Sequence, residues 1–310
     1  MQDRNSCSKK PGNIKDKVKM KHNIKITTIL LLMFIFTQII GLVVISIYQG
    51  KILPYGMQPP EMKPEVSFSS IIISIFLAVS LVFLLMKIKA NWIIRIWFFS
   101  VVAIALGLTF NAFFQKFLPN AAAFALAVGI ILSYLKIFKR NIIIHNATEL
   151  FIYPGIASVF VPMLGVWSIS ILLVLISLYD IYAVWHSGIM QKMAKFQIRE
   201  LRLFAGFFVP YMSKKQLEQA KKSKQKKVKV SLAILGGGDV VFPIMAAGVM
   251  LIAYGWIAAL LVSSFAAIGL LYLFIKAEKG EFYPAMPFIS AGCFAGMLVF
   301  YLLRITQILA

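Results

Sequence analysis

Acidic residues are scarce in this chain: 11 Asp and Glu stand against 32 Lys and Arg over 310 residues, a formal net charge of +21. Cysteine is scarcer still, with Cys7 in a polar basic stretch and Cys293 in an apolar run. That pair excludes a disulfide scaffold, and neither residue has CxxC-type metal spacing. Charged residues make up only 14% of the chain, where a soluble domain carries about a quarter. What is abundant is apolar: 60% of residues are hydrophobic and the mean hydropathy is +0.86. A charge of +21 alone would suggest a nucleic-acid binder. The hydrophobicity excludes a soluble one, and no nucleic acid is expected as a partner. What is left is a polytopic membrane protein with lopsided charge.

A transmembrane helix takes roughly 20 apolar residues. Nine apolar segments can be marked, near 24–48, 67–87, 92–113, 119–138, 143–165, 167–186, 231–252, 255–276 and 284–306. They use most of the length and leave no room for a large soluble domain. The expected fold is therefore all-α, with nine transmembrane helices. The first run is too long for a signal-peptide core and has no small-residue cleavage pattern behind it. It reads as a true span.

The basic residues then sort themselves: 27 of the 32 fall on one side of these spans, with Arg95 near that side, while Lys51, Lys63, Lys116 and Arg304 fall on the other. The positive-inside rule puts the N-terminus in the cytoplasm and the C-terminus outside. Residues 1–23 form a basic cytoplasmic tail, 24–186 hold spans one to six, 187–230 form a basic cytoplasmic loop and 231–310 hold spans seven to nine. Within that loop, 189–211 mixes basic and apolar residues, as an interfacial amphipathic segment does. The lysine run at 213–229 reads as a solvated topology signal with attraction for anionic lipid.

Of only four aspartates, Asp180 and Asp239 lie inside apolar spans six and seven. A charged carboxylate at the centre of a span costs about 2.5–3.5 kcal/mol, and such a residue is a functional candidate by default. Counted from the cytoplasmic ends of their spans, the two stand at depths of about 9 and 12 Å. Antiparallel neighbours at matched depth would bring the carboxyls together. Two close carboxyls do not easily both ionise, so the pair shares a proton. One can then take a proton from water while the other polarises a carbonyl, as in aspartic proteases.

Asp239 stands in Gly236-Gly237-Gly238-Asp239, four residues before Pro243. Glycines weaken a span and admit another backbone closely. Pro243 lacks the N–H that would bond the Asp239 carbonyl. At the head of span nine, Tyr283-Pro284-Ala285-Met286-Pro287-Phe288 carries two prolines. Each favours extended backbone in the residue before it, so this stretch is expected to be extended, with free groups that a substrate strand could meet.

These three pieces together resemble the presenilin and signal peptide peptidase family of intramembrane aspartyl proteases. That family is recognised by Tyr-Asp in span six, Gly-x-Gly-Asp (GxGD) in span seven and Pro-Ala-Leu opening span nine. The matches are Tyr179-Asp180, Gly236-Gly237-Gly238-Asp239 and Pro284-Ala285-Met286, with Met in place of Leu, a volume-conserving swap. The cytoplasmic N-terminus resembles presenilins rather than signal peptide peptidases, so the chain is similar to a compact microbial presenilin homologue in the cell membrane. The resemblance implies endoproteolysis of single-span membrane proteins, with Asp180 and Asp239 activating the water. Tyr179, the three glycines and Pro284-Ala285-Met286 would shape the site and hold substrate. It implies no metal and no organic cofactor.

The rival reading is a proton- or cation-coupled transporter or channel using the same carboxylates. Transporters are commonly built from two related halves with paired broken helices, and no such repeat is visible here. His145 and Glu149 share a helical face in span five, and with His186 suggest a metal site only faintly. An interhelical hydrogen bond suits them better. Asn146-Ala147-Thr148 spells a glycosylation acceptor on the wrong side of the membrane. Gly292 and Gly296 are expected to allow close helix packing in span nine.

Overall fold

The computed structural model describes residues 24–57, 73, 77, 80–81, 91–139, 141–187, 205–211, 231–277 and 283–306. Apolar runs that cannot bond their backbone to water close it into helices. The helices are α1 (Ile24–Tyr48), α2 (Asn91–Phe114), α3 (Ala121–Phe138), α4 (Ile142–Phe160), α5 (Val166–Tyr182), α6 (Gly237–Tyr254), α7 (Trp256–Lys276) and α8 (Met286–Ile305). A 3₁₀ turn, Val161–Met163, follows α4, and a π turn, Ala183–Ser187, ends α5. Eight helices among the described residues are long and apolar enough to cross a membrane. They match predicted spans one and three to nine. The predicted second span, 67–87, lies outside the described residues apart from Ile73, Leu77, Ser80 and Leu81, each of which is helical.

Helix α1 runs through the middle of the bundle, touching α2, α4, α6 and α7. Its Leu30, Phe34 and Leu42 are fully buried in the main core, together with Ile244 of α6 and Leu270 of α7. Polar side chains cross-link the other end of α1 to its neighbours. The Tyr48 hydroxyl donates to the Leu108 carbonyl at 2.7 Å and accepts from Asn111 Nδ2 at 3.0 Å. Thr109 Oγ1 donates to the Phe151 carbonyl at 2.7 Å. Such bonds inside a membrane are worth about 0.6–2 kcal/mol each. Helices α7 and α8 meet backbone to backbone as expected: a Cβ on Gly292 would run into the Phe265 carbonyl, and one on Gly296 would stand 2.7 Å from Val262 Cα.

Two strands depart from the all-helical expectation. β1 (Gly206–Tyr211) pairs antiparallel with β2 (Ser231–Gly236), in a register that sets Gly206 against Gly236 and Phe208 against Ile234. Span seven therefore does not begin as a helix at 231. Residues 231–236 are extended and α6 starts at Gly237. The amphipathic segment expected at 189–211 falls outside the described residues up to 204, and its last part is β1 rather than a surface helix. The physical reason is hydrogen bonding: β1 gives β2 a partner, and side chains of α4 give β1 one.

Candidate active site

Asp180 lies in the last turn of α5 and is 8% exposed. Its Oδ2 accepts the backbone N–H of Met286 at 3.0 Å. Met286 is the first residue of α8, and Ala285, at its N-cap, offers no side-chain bond. The first N–H groups of a helix have no partner inside it. A carboxylate from another helix here takes the role of a cap. One turn deeper, Ser177 Oγ and Ser290 Oγ meet at 2.9 Å and fasten the same two helices again. Pro287 follows at the second helical position, where its missing N–H would have been unpaired in any case. The extended stretch expected at 283–288 is thus shorter. Helix begins at Met286, and only Tyr283, Pro284 and Ala285 precede it outside regular structure.

Asp239 stands at the third position of α6, just past the N-cap residue Gly236. It is half-buried. Its carboxyl folds back to the Gly236 N–H, the return half of a capping box. A Cβ on Gly236 would stand 3.1 Å from Asp239 Oδ2, and one on Gly237 would stand 2.9 Å from the Tyr153 ring and hydroxyl. Gly238 is exposed, with Phe242 as the neighbour of its missing Cβ. The two carboxyls act on each other electrostatically. Asp180 closes one helix and Asp239 opens the next, so helix ends rather than helix middles face the shared space.

Of the predicted site residues, Asp180 and Met286 come together, as do Asp239 and Gly236, with Gly237 opening the same helix. Tyr179 does not join them. It is 61% exposed, because successive residues on a helix point about 100° apart and Asp180 takes the inward direction. His186 is exposed and stacks on Tyr182, with ring centroids 5.9 Å apart. His145 and Glu149 instead meet Lys136.

Two buried polar residues escaped the sequence reading. Gln38 of α1, 1% exposed, donates from Nε2 to the Val240 carbonyl at 3.1 Å, beside the gap that Pro243 leaves in α6. A lone amide inside an otherwise apolar span was the signal for it. Lys136, one of the 27 basic residues counted on the cytoplasmic side, is 6% exposed in the last turn of α3 and pairs with Glu149. Nothing in its sequence neighbourhood marks that.

A family model described as "Signal-peptide peptidase, presenilin aspartyl protease" matches residues 27–305. No curated protein matches. Among solved structures, a presenilin family intramembrane aspartate protease in a C222 space group is 20% identical with a TM-score of 0.59, over 88% of this chain and 97% of its own. The P2 form of such a protease gives 20% and 0.59 again, over 87% and 95%. The eight spanning helices and their arrangement are thus similar to that fold. Neither comparison supports a transporter.

Proposed function

Because the chain belongs to the signal-peptide peptidase and presenilin aspartyl protease family, it is an intramembrane aspartic endopeptidase acting on membrane proteins, and we propose that Asp180 and Asp239 are its catalytic pair. The observation that carries this is the bond from Met286 N–H to Asp180 Oδ2. It joins two of the three sequence motifs in one contact, with the third motif's carboxyl in electrostatic reach. In the reaction, one carboxylate takes a proton from water as the water oxygen bonds to the scissile carbonyl carbon. The partner, protonated, gives its proton to the carbonyl oxygen. Collapse breaks the C–N bond. The first acid protonates the leaving nitrogen and the second recovers its proton from the departing diol.

The hairpin supports a mode of substrate binding. Phe208 exchanges both backbone bonds with the Asn146 amide, so its N–H and C=O point away from β2. Alternation in an antiparallel pair then turns Leu232 and Ile234 away from β1. β1's outer edge is occupied and β2's is open among the described residues. An unwound substrate segment adds to β2 as a third strand, beside the carboxyls, with Pro284-Ala285-Met286 shaping the site. The substrates are single-span proteins. The basic face meets anionic lipid in the cell membrane, with the N-terminus cytoplasmic and the C-terminus external. Reconstituted in liposomes, the protein should cut a single-span reporter. Asp180→Asn and Asp239→Asn should each lower the rate at least about a thousandfold. Cleavage surviving in either variant would remove that residue from the pair.

A further inference from the structure

On one face of α4 lies a cluster that this mechanism does not use. Lys136 Nζ donates to Glu149 Oε1, and both side chains are buried. A buried ion pair is weak evidence of stability, since apolar residues of similar volume often serve as well. What this pair does is fix its neighbours. Lys136 Nζ also lies 3.4 Å from His145 Nδ1. An ammonium has only donors, so Nδ1 accepts and Nε2 carries the ring hydrogen. Nε2 lies 2.8 Å from the Gly206 carbonyl and donates to it. Asn146, next along α4, donates to the Phe208 carbonyl at 2.7 Å and accepts from the Phe208 N–H at 3.0 Å. Its amide stands in for a neighbouring strand. Two turns beyond His145, Tyr153 is 3% exposed, sets its ring edge-on to Phe207 and lies over Gly237.

The contacts form a continuous path. Lys136 and Glu149 hold His145. His145 and Asn146 hold the outer edge of β1. The β1–β2 register and the bond from Gly237 N–H to the Ala205 carbonyl, 3.2 Å, carry that position to the start of α6. Asp239 follows two residues later. We propose that Lys136, Glu149, His145 and Asn146 are positioning residues for peptide hydrolysis, setting the height of the hairpin and with it the approach of Asp239 to Asp180. This rests on the reading of Asp239 as catalytic.

The test uses the full-length protein in liposomes with the single-span reporter, reading kcat, KM and thermal unfolding together. In the double variant Lys136→Met with Glu149→Leu no charge is left unpaired. It should unfold within a few degrees of the native protein and keep KM within about threefold, while kcat falls at least about tenfold. His145→Ala should do the same, and His145→Gln, whose amide can donate to Gly206, should recover part of the loss. Should the double variant fail to fold, Asn146→Ala decides alone, since it deletes only the edge bonds. Native kcat in these variants overturns the inference. So does a loss of activity that only follows the unfolded fraction. Asp239→Asn is run in parallel. If it still cuts, the catalytic reading has failed and this one falls with it. If it is inactive and the double variant keeps its rate, the positioning inference alone has failed.

Discussion

A single methyl group at Gly237 would test how tightly Asp239 is held. The added Cβ would meet the Tyr153 ring and hydroxyl at 2.9 Å. That ring is buried and set against Phe207, so it has little room to give. Overpacking of this kind costs about 1–3 kcal/mol. Gly237→Ala should therefore lower the unfolding temperature and slow reporter cleavage by an order of magnitude or so, measured as kcat in the folded fraction. Native kcat would show that α6 can shift here without moving the carboxyl. At this scale the sequence was informative where chemistry made a residue costly. Acids within apolar spans are legible because the bilayer penalises them, and Asp180 lies in the last turn of α5 and Asp239 in the first turn of α6. Direction around a helix was not legible, which is why Tyr179, adjacent to Asp180, ends on the exposed face. The burial of Lys136 was not legible either. A lysine near a span end normally reaches water, and only the folded arrangement brings it to Glu149 thirteen residues later.

Between elements, the hairpin is the feature that periodicity could not reveal. A run of four to eight apolar residues fits a buried strand or part of a helix equally well. Ser231–Gly236 joins an apolar helix without a break in hydropathy, and its partner strand lies beyond a lysine-rich stretch. Pro210 in β1 offers a check on the register. Gly206 and Phe208 turn their backbone groups outward, so Pro210 falls on the outward set and costs no ladder bond. The same logic yields a prediction. Ile234 also points its N–H away from β1, so Ile234→Pro should leave the hairpin and the unfolding temperature nearly intact. It removes a donor from the open edge of β2. Reporter cleavage should fall about tenfold, mainly through KM. Ala233→Pro, which deletes a bond to β1, should instead destabilise the hairpin. If Ile234→Pro cleaves normally, the substrate does not add to this edge.

At the scale of the whole molecule, charge and hydropathy carried most of the fold: seven of the nine predicted segments match single described helices closely, and the seventh differs by its strand. They also predict a direction across the membrane, and the scarcity of cysteine makes it measurable. Cys7 belongs to the basic tail, while Cys293 is fully buried in α8. A membrane-impermeant maleimide therefore has one cysteine to report on, and Cys7→Ser supplies the blank. In intact cells Cys7 should stay unlabelled. Once the membrane is permeabilised it should react, and Cys293 should stay unreactive under both conditions. Labelling in intact cells would invert the chain, placing the end of α5 and the start of α6, with both carboxyls, toward the external face. The lysine-rich sequence 213–229 would then belong to the external side, without the anionic surface that a basic segment favours.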